Sequence, residues 1–113
     1  MSVYSFPIEF VAAGTPSSSP FLSNPVAANT VQVVRDVSGV VYPGYATDLV
    51  FAVSDPDVAD YWFYAVELPT APTVKTPFHW EGRVVMQPGF QVKIICAGGE
   101  FYCTVSGYEL SNY

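Results

Sequence analysis

The stretch from Phe78 to Leu110, FHWEGRVVMQPGFQVKIICAGGEFYCTVSGYEL, alternates apolar and polar residues with a period of two between turn signals. Successive side chains of a strand point to opposite faces, so Phe90, Val92, Ile94 and Cys96 share one face while Gln91 and Lys93 share the other. After Gly98-Gly99 the alternation resumes, with Phe101, Cys103 and Val105 on one side and Tyr102, Thr104 and Ser106 on the other. This pattern predicts a β-hairpin in the core of an all-β domain.

The rest of the chain repeats the signal. Tyr4, Phe6, Ile8 and Phe10 alternate along a first strand, whose Pro7 cannot donate a ladder hydrogen bond and is expected at a sheet edge or swapped onto a neighbour. Strands are predicted over Val31–Val41, Leu49–Val53, Tyr61–Leu68 and Phe78–Met86, separated by Gly- and Pro-bearing turns. Short strands at such intervals predict one domain over residues 1–113, an antiparallel β-sandwich of jelly-roll type. Its expected core is Tyr4, Phe6, Ile8, Leu49, Phe51, Val53, Trp80, Val84, Phe90, Val92, Ile94, Phe101, Cys103 and Val105.

Two segments break the pattern. Residues 12–29, AAGTPSSSPFLSNPVAAN, have weak periodicity and form either an extended arm or a long loop folded over the sandwich. As an arm, the segment would carry Phe21 and Leu22 to another subunit as apolar anchors, its prolines limiting the entropy lost on docking. The strand around Tyr61-Trp62-Phe63-Tyr64-Ala65-Val66 is apolar or aromatic on both faces, which suits a strand covered on both sides. Pro7, Phe21, Leu22, Trp62 and Tyr64 are therefore the candidate interface residues.

Composition points the same way. Only 12% of the 113 residues are Asp, Glu, Lys or Arg, against about a quarter in an ordinary soluble domain. Large interfaces are depleted of charge and enriched in aromatics, so a homo-oligomer is expected, the alternative being a surface of exposed Ser, Thr, Asn and Tyr side chains. The net charge of −6 disfavours nucleic acid as a ligand. MSVYSFPIEF has neither a basic start nor a continuous apolar run, and the uncharged stretch from Phe10 to Val34 is interrupted by three prolines; neither a secretory signal nor a membrane helix is expected, and the chain reads as soluble.

No catalytic constellation or cofactor motif is visible. His79 is the single histidine, with no Cys nearby to complete a zinc site, and reads as a strand residue at a surface or subunit contact. Asp55, Asp57 and Asp60 in SDPDVAD lack the spacing of a calcium loop and fit turn chemistry around Pro56. Trp62, Tyr64 and Trp80 are the side chains that would stack on sugar rings if the domain bound glycans. A two-residue Gly98-Gly99 loop sets Cys96 opposite Phe101, whereas a four-residue loop sets it opposite Cys103. Even there a disulfide needs a narrow Cα separation, and two buried free thiols are expected.

The block Trp80-Glu81-Gly82-Arg83-Val84-Val85-Met86-Gln87-Pro88-Gly89, followed by a strand, a Gly-containing turn and Val105-Ser106-Gly107-Tyr108-Glu109-Leu110, resembles the carboxy-terminal pattern of small β-sandwich virion proteins of tailed bacteriophages. Val33-Val34-Arg35-Asp36-Val37 resembles the strand that opens the regular part of such domains. The resemblance covers about two-thirds of the chain and rests on motifs that mark a fold rather than a ligand site. It implies a non-enzymatic structural protein on the capsid surface of the virion, a decoration or cement protein assembled in the host cytoplasm. The major capsid protein and other copies of the chain, as a trimer, would be its partners. The other implied role is a receptor- or glycan-binding module of a tail fibre.

Overall fold

A computed structural model describes residues 3–57 and 59–112, without the side chains of residues 3–6, 18 and 112. It contains eight strands: β1 (Val3–Gly14), β2 (Phe21–Leu22), β3 (Thr30–Val41), β4 (Thr47–Ser54), β5 (Asp60–Leu68), β6 (Thr76–Met86), β7 (Gln91–Ala97) and β8 (Phe101–Asn112). A single 3-10 turn, Pro16–Ser18, is the only helical element among the described residues. The strands form two four-stranded sheets in the orders β1-β8-β3-β6 and β2-β7-β4-β5, with every ladder antiparallel. Eight strands divided this way between two sheets make an antiparallel β-sandwich with the strand order of a jelly roll.

The alternation predicted from sequence supplies the core. Leu49, Phe51 and Val53 of β4 and Val92, Ile94 and Cys96 of β7 face Val34, Val37 and Val41 of β3 and Phe101, Cys103 and Val105 of β8. Of the expected core, Trp80, Val84 and Phe90 are only partly buried and pack against its margin, and Ile8 is half-buried. Tyr4 and Phe6 lie outside the described side chains. Ala12, Val26, Phe78 and Met86 complete the core.

The expected hairpin requires correction. β7 and β8 lie in opposite sheets, and Gly98-Gly99 carries the chain from one to the other instead of reversing it within a ladder. Inward-facing alternation is the same for two strands paired side by side as for two strands facing each other across a core, so the pattern could not separate them. The crossing depends on backbone that favours glycine: φ is +87° at Gly98 and +74° at Gly99. A Cβ at Gly98 would meet the Ala46 carbonyl, and one at Gly99 the Thr47 hydroxyl. Cys96 and Cys103 therefore enter the core from opposite sheets as free, buried thiols.

Residues 12–29 fold onto their own sandwich. β1 runs on to Gly14, Phe21–Leu22 pair with Ile94 and Lys93 of β7, and Val26 is buried in the core. Serine side chains extend the pairing beyond the two-residue strand. The Val92 N–H donates to Ser23 Oγ at 2.8 Å, and the Cys96 N–H donates to Ser19 Oγ at 3.0 Å. The hydroxyls satisfy backbone donors that would otherwise be left at the sheet edge.

Aromatic contacts close both sides of the sandwich. Phe10 stacks on Phe21 where β1 meets β2, with ring centres 6.1 Å apart. Phe63 packs on Trp80, at 4.9 Å, where β5 meets β6.

Candidate functional site

Register determines what each sheet presents outward. On the second sheet, the inward set Leu49-Phe51-Val53 leaves Asp48, Val50, Ala52 and Ser54 facing out. Pairing then builds four outward rows across the strands. The two middle rows are Ile95-Val50-Ala65 and Leu22-Lys93-Ala52-Trp62. The end rows are Ala97-Asp48-Glu67 and Gln91-Ser54-Asp60. Lys93 directs its ammonium to Asp60 in an end row, Nζ to Oδ2 at 2.8 Å. This face thus has an apolar middle and a polar margin, the arrangement of a protein–protein contact patch.

A β-bulge opposite Phe51 and Ala52 explains how β5 serves both sides. Phe51 pairs with Tyr64 and Ala52 with Trp62, so Phe63 is the extra residue. Phe63 and Tyr64 can then both pack on Phe51, with ring centres at 6.4 and 5.4 Å, while Trp62 turns outward and is 68% exposed. β5 is also the outer strand of its sheet; it carries no Pro, Gly, Lys or Arg, and its edge is modified only by the bulge at Phe63 and by Asp60 and Glu67 near its ends.

The five candidate interface residues separate on this geometry. Leu22 and Trp62 stand in the same outward row of the second sheet. Phe21 turns inward onto Phe10, and Tyr64 onto Phe51 and Phe78. Pro7 is exposed on β1, the outer strand of the first sheet, opposite Tyr108. Of the three rings suited to stacking on a sugar, Trp80 is engaged by Phe63 and Tyr64 by Phe51, which leaves Trp62 presented openly. Val50, Ala52 and Ile95 were missed by sequence reasoning. Ile95 carries a legible signal, because it is apolar out of phase with Val92, Ile94 and Cys96.

The first sheet presents a different surface. Its middle rows are Val11-Thr104-Ser38-His79 and Glu9-Ser106-Asp36-Glu81. His79 Nε2 lies 2.6 Å from Asp36 Oδ2 and 3.5 Å from Glu81 Oε1, and Ser38 Oγ donates to Asp36 Oδ1 at 2.9 Å. The hydrogen bond to Asp36 raises the His79 pKa, and the same bond lowers that of Asp36. His79, placed at a surface by sequence, thus has an acidic partner 43 residues away in the chain. The aspartates near Pro56 make a turn: the Asp57 N–H donates to Asp55 Oδ1 at 2.9 Å.

No model of a known protein family matches the sequence, and no curated protein matches it. Among solved structures, the chain is similar to the Drosophila NLP core, described for pentamer formation and histone binding, at 13% identity and a TM-score of 0.53, covering 89% of this chain and 96% of that one. It is more distantly similar to a protein of the Bacillus endospore appendages, which form disulfide-linked pili, at 14% identity and a TM-score of 0.43 over 95% of this chain and 90% of that one. Infectious bursal disease virus gives the same identity and TM-score, over 96% of this chain and 32% of that one. The first of these likenesses extends across nearly the whole of both chains and is a likeness of fold.

Proposed function

We propose that this chain is a non-enzymatic structural protein of a tailed-phage particle, a capsid decoration protein that associates with copies of itself and with the major capsid protein. The observation that carries the reading is the outer face of the second sheet, where Val50, Ala65, Ile95, Leu22 and Trp62, set around the buried Ala52, form an apolar middle inside a polar margin. A low-charge surface of that form is stabilised when another protein covers it. The sequence resemblance to phage virion proteins supplies the particle, and the jelly-roll strand order is one that viral capsid domains use. The pentamer-forming NLP core has a similar fold, which is compatible with self-association.

On this reading the decoration protein acts by mass action. A subunit that binds only the expanded shell lowers the free energy of that state and opposes its disruption. A trimer, set at a local threefold axis of the shell, is the proposed oligomer. Two measurements test this. Light scattering on the purified chain should give a trimer that Trp62→Ala weakens, and quantitative mass spectrometry of purified particles should give hundreds of copies. A chain that stays monomeric at high concentration and is present in only a few copies per particle would point to the tail instead.

A further inference from the structure

We propose that Asp36, His79 and Glu81 form a binding site for one divalent transition-type cation of the zinc class on the outer face of the first sheet. The inference is independent of the decoration reading, since it concerns the isolated chain and a different face. One ligand atom from each of Asp36, His79 and Glu81 lies within 4.8 Å of the others. Zinc holds N and O donors at about 2.0–2.2 Å, which separates donors around one ion by roughly 3–3.5 Å. The Asp36–His79 contact has to open slightly from 2.6 Å, and the His79–Glu81 contact is already 3.5 Å. Glu81, with a side chain 74% exposed, is free to complete the closure.

The backbone prepares this meeting. His79 and Glu81 alternate on one face of β6, and Asp36 is the direct cross-strand partner of Glu81 on β3. A register shift between Val34 and Asp36 accompanies the placement of Asp36 on the outward face. Ser38 holds the other carboxylate oxygen of Asp36, as outer partners of metal ligands do. The Tyr64 hydroxyl reaches the His79 backbone from the second sheet, and Trp80, between the two ligands of β6, is fixed against Phe63.

Electrostatics supplies a separate argument. Two carboxylates directly opposite each other on adjacent strands repel. Among the described residues their only ion-pair partner is His79, a cation only while its ring is protonated; Arg35 and Arg83, the nearest cations in sequence, pair with neither. A divalent ion would neutralise both. One imidazole nitrogen with two carboxylate oxygens selects zinc-like ions over calcium or magnesium, which take all-oxygen shells of six or more donors. Three protein donors leave the remaining coordination position toward solvent.

Isothermal titration of the full chain with zinc chloride tests the site, repeated with magnesium and calcium chloride and followed by zinc analysis after dialysis. The expected result is one zinc ion per chain and no comparable heat with the other two ions. His79→Ala and Glu81→Gln should each weaken binding by more than the roughly 10–100-fold typical of losing an outer partner, and Ser38→Ala should fall within that range. All three positions are on the sheet surface, and an unchanged circular dichroism spectrum would show that the variants fold. Absence of zinc binding, unchanged binding in both His79→Ala and Glu81→Gln, or equal binding of calcium would overturn the proposal.

Discussion

On the outer face of the second sheet the middle rows are apolar and the end rows polar; on the first sheet the order is reversed. There, Val11-Thr104-Ser38-His79 and Glu9-Ser106-Asp36-Glu81 occupy the middle, flanked by Ala13-Tyr102-Val40-Pro77 on one side and Pro7-Tyr108-Val33-Val85 on the other. Each outer face also hides one small apolar residue outside the core cluster, Ala52 on the second sheet and Val33 on the first. The two faces share strand geometry and core, so their difference lies in which side chains each register places together. An apolar middle favours covering by protein, whereas a polar middle favours water, ions or a polar ligand.

The largest expected effect comes from removing what the faces share. Phe51 is fully buried and lies within ring contact of Phe63, Tyr64 and Phe78, at 6.4, 5.4 and 5.7 Å. Phe51→Ala should cost about 3–5 kcal/mol, read from the midpoint of denaturant unfolding. Both faces should then be lost in one transition. Separate transitions for the two sheets would show that the faces do not depend on a single core.

A second experiment compares the sheets from inside. Cys103 of the first sheet is fully buried, and burial pushes its pKa up to about 12; burial also raises that of Cys96 on the second sheet, which keeps 4% exposure. Thiol reagents attack the thiolate. In native protein at pH 8 both thiols should react slower than free cysteine by orders of magnitude, Cys103 the slower, and both should react at once in denaturant. Timed alkylation with mass spectrometry of the peptides reads the order. Faster reaction at Cys103 would mean that the first sheet opens more readily than the second.

The faces are then set against each other by charge. Ile95→Lys places a cation in the apolar middle of the second sheet, and Thr104→Lys places one in the polar middle of the first. The first change should raise the self-dissociation constant by about thirtyfold or more, roughly 2 kcal/mol. The second should leave it within about twofold, or roughly 0.4 kcal/mol. Analytical ultracentrifugation measures both, and a reversed order would place the contact on the first sheet.

How much of this was legible in the sequence depends on the range of the signal. The inward sets of β4, β7 and β8 were readable because alternation is local, and so were the edge position of Pro7 and the unusual apolar character of β5. Partnership was not readable. The run through Gly98-Gly99 has the same alternation in a hairpin as in two strands facing across a core, so the sheet assignment of β8 had to come from its pairing with β1 and β3. β2 is only two residues long, too short for a period, and is held partly by Ser19 and Ser23. Asp36 meets His79 through register between strands far apart in the chain. The inward turn of Tyr64 beside the outward turn of Trp62 depends on a bulge that strict alternation does not contain.

The smallest expected effect belongs to the polar margin of the second face. Lys93 stands in an apolar row but gives its charge to Asp60 in the end row, and that hydrogen bond, helped by one from Ser54, lowers the Asp60 pKa from 3.8. A carboxylate with a depressed folded pKa contributes stability that is present above its unfolded value and is lost as pH falls through the folded value. The pair is partly exposed at the sheet surface, where water and salt screen it, and Asp60→Asn should cost only a few tenths of a kcal/mol, up to about 1 kcal/mol, at pH 7. As pH falls from 3.8 through the lower folded value the difference between variant and parent should vanish, and high salt should shrink it at neutral pH. Thermal unfolding from pH 2 to pH 7 at two salt concentrations measures it. Self-association is the more informative readout: with Asp60 neutralised, Lys93 is left as an unpaired cation beside Trp62 and Ala52, and the contact should weaken by more than the fold does. Equal losses in both would mean that the pair stabilises the strand alone and that the margin contributes nothing to the contact.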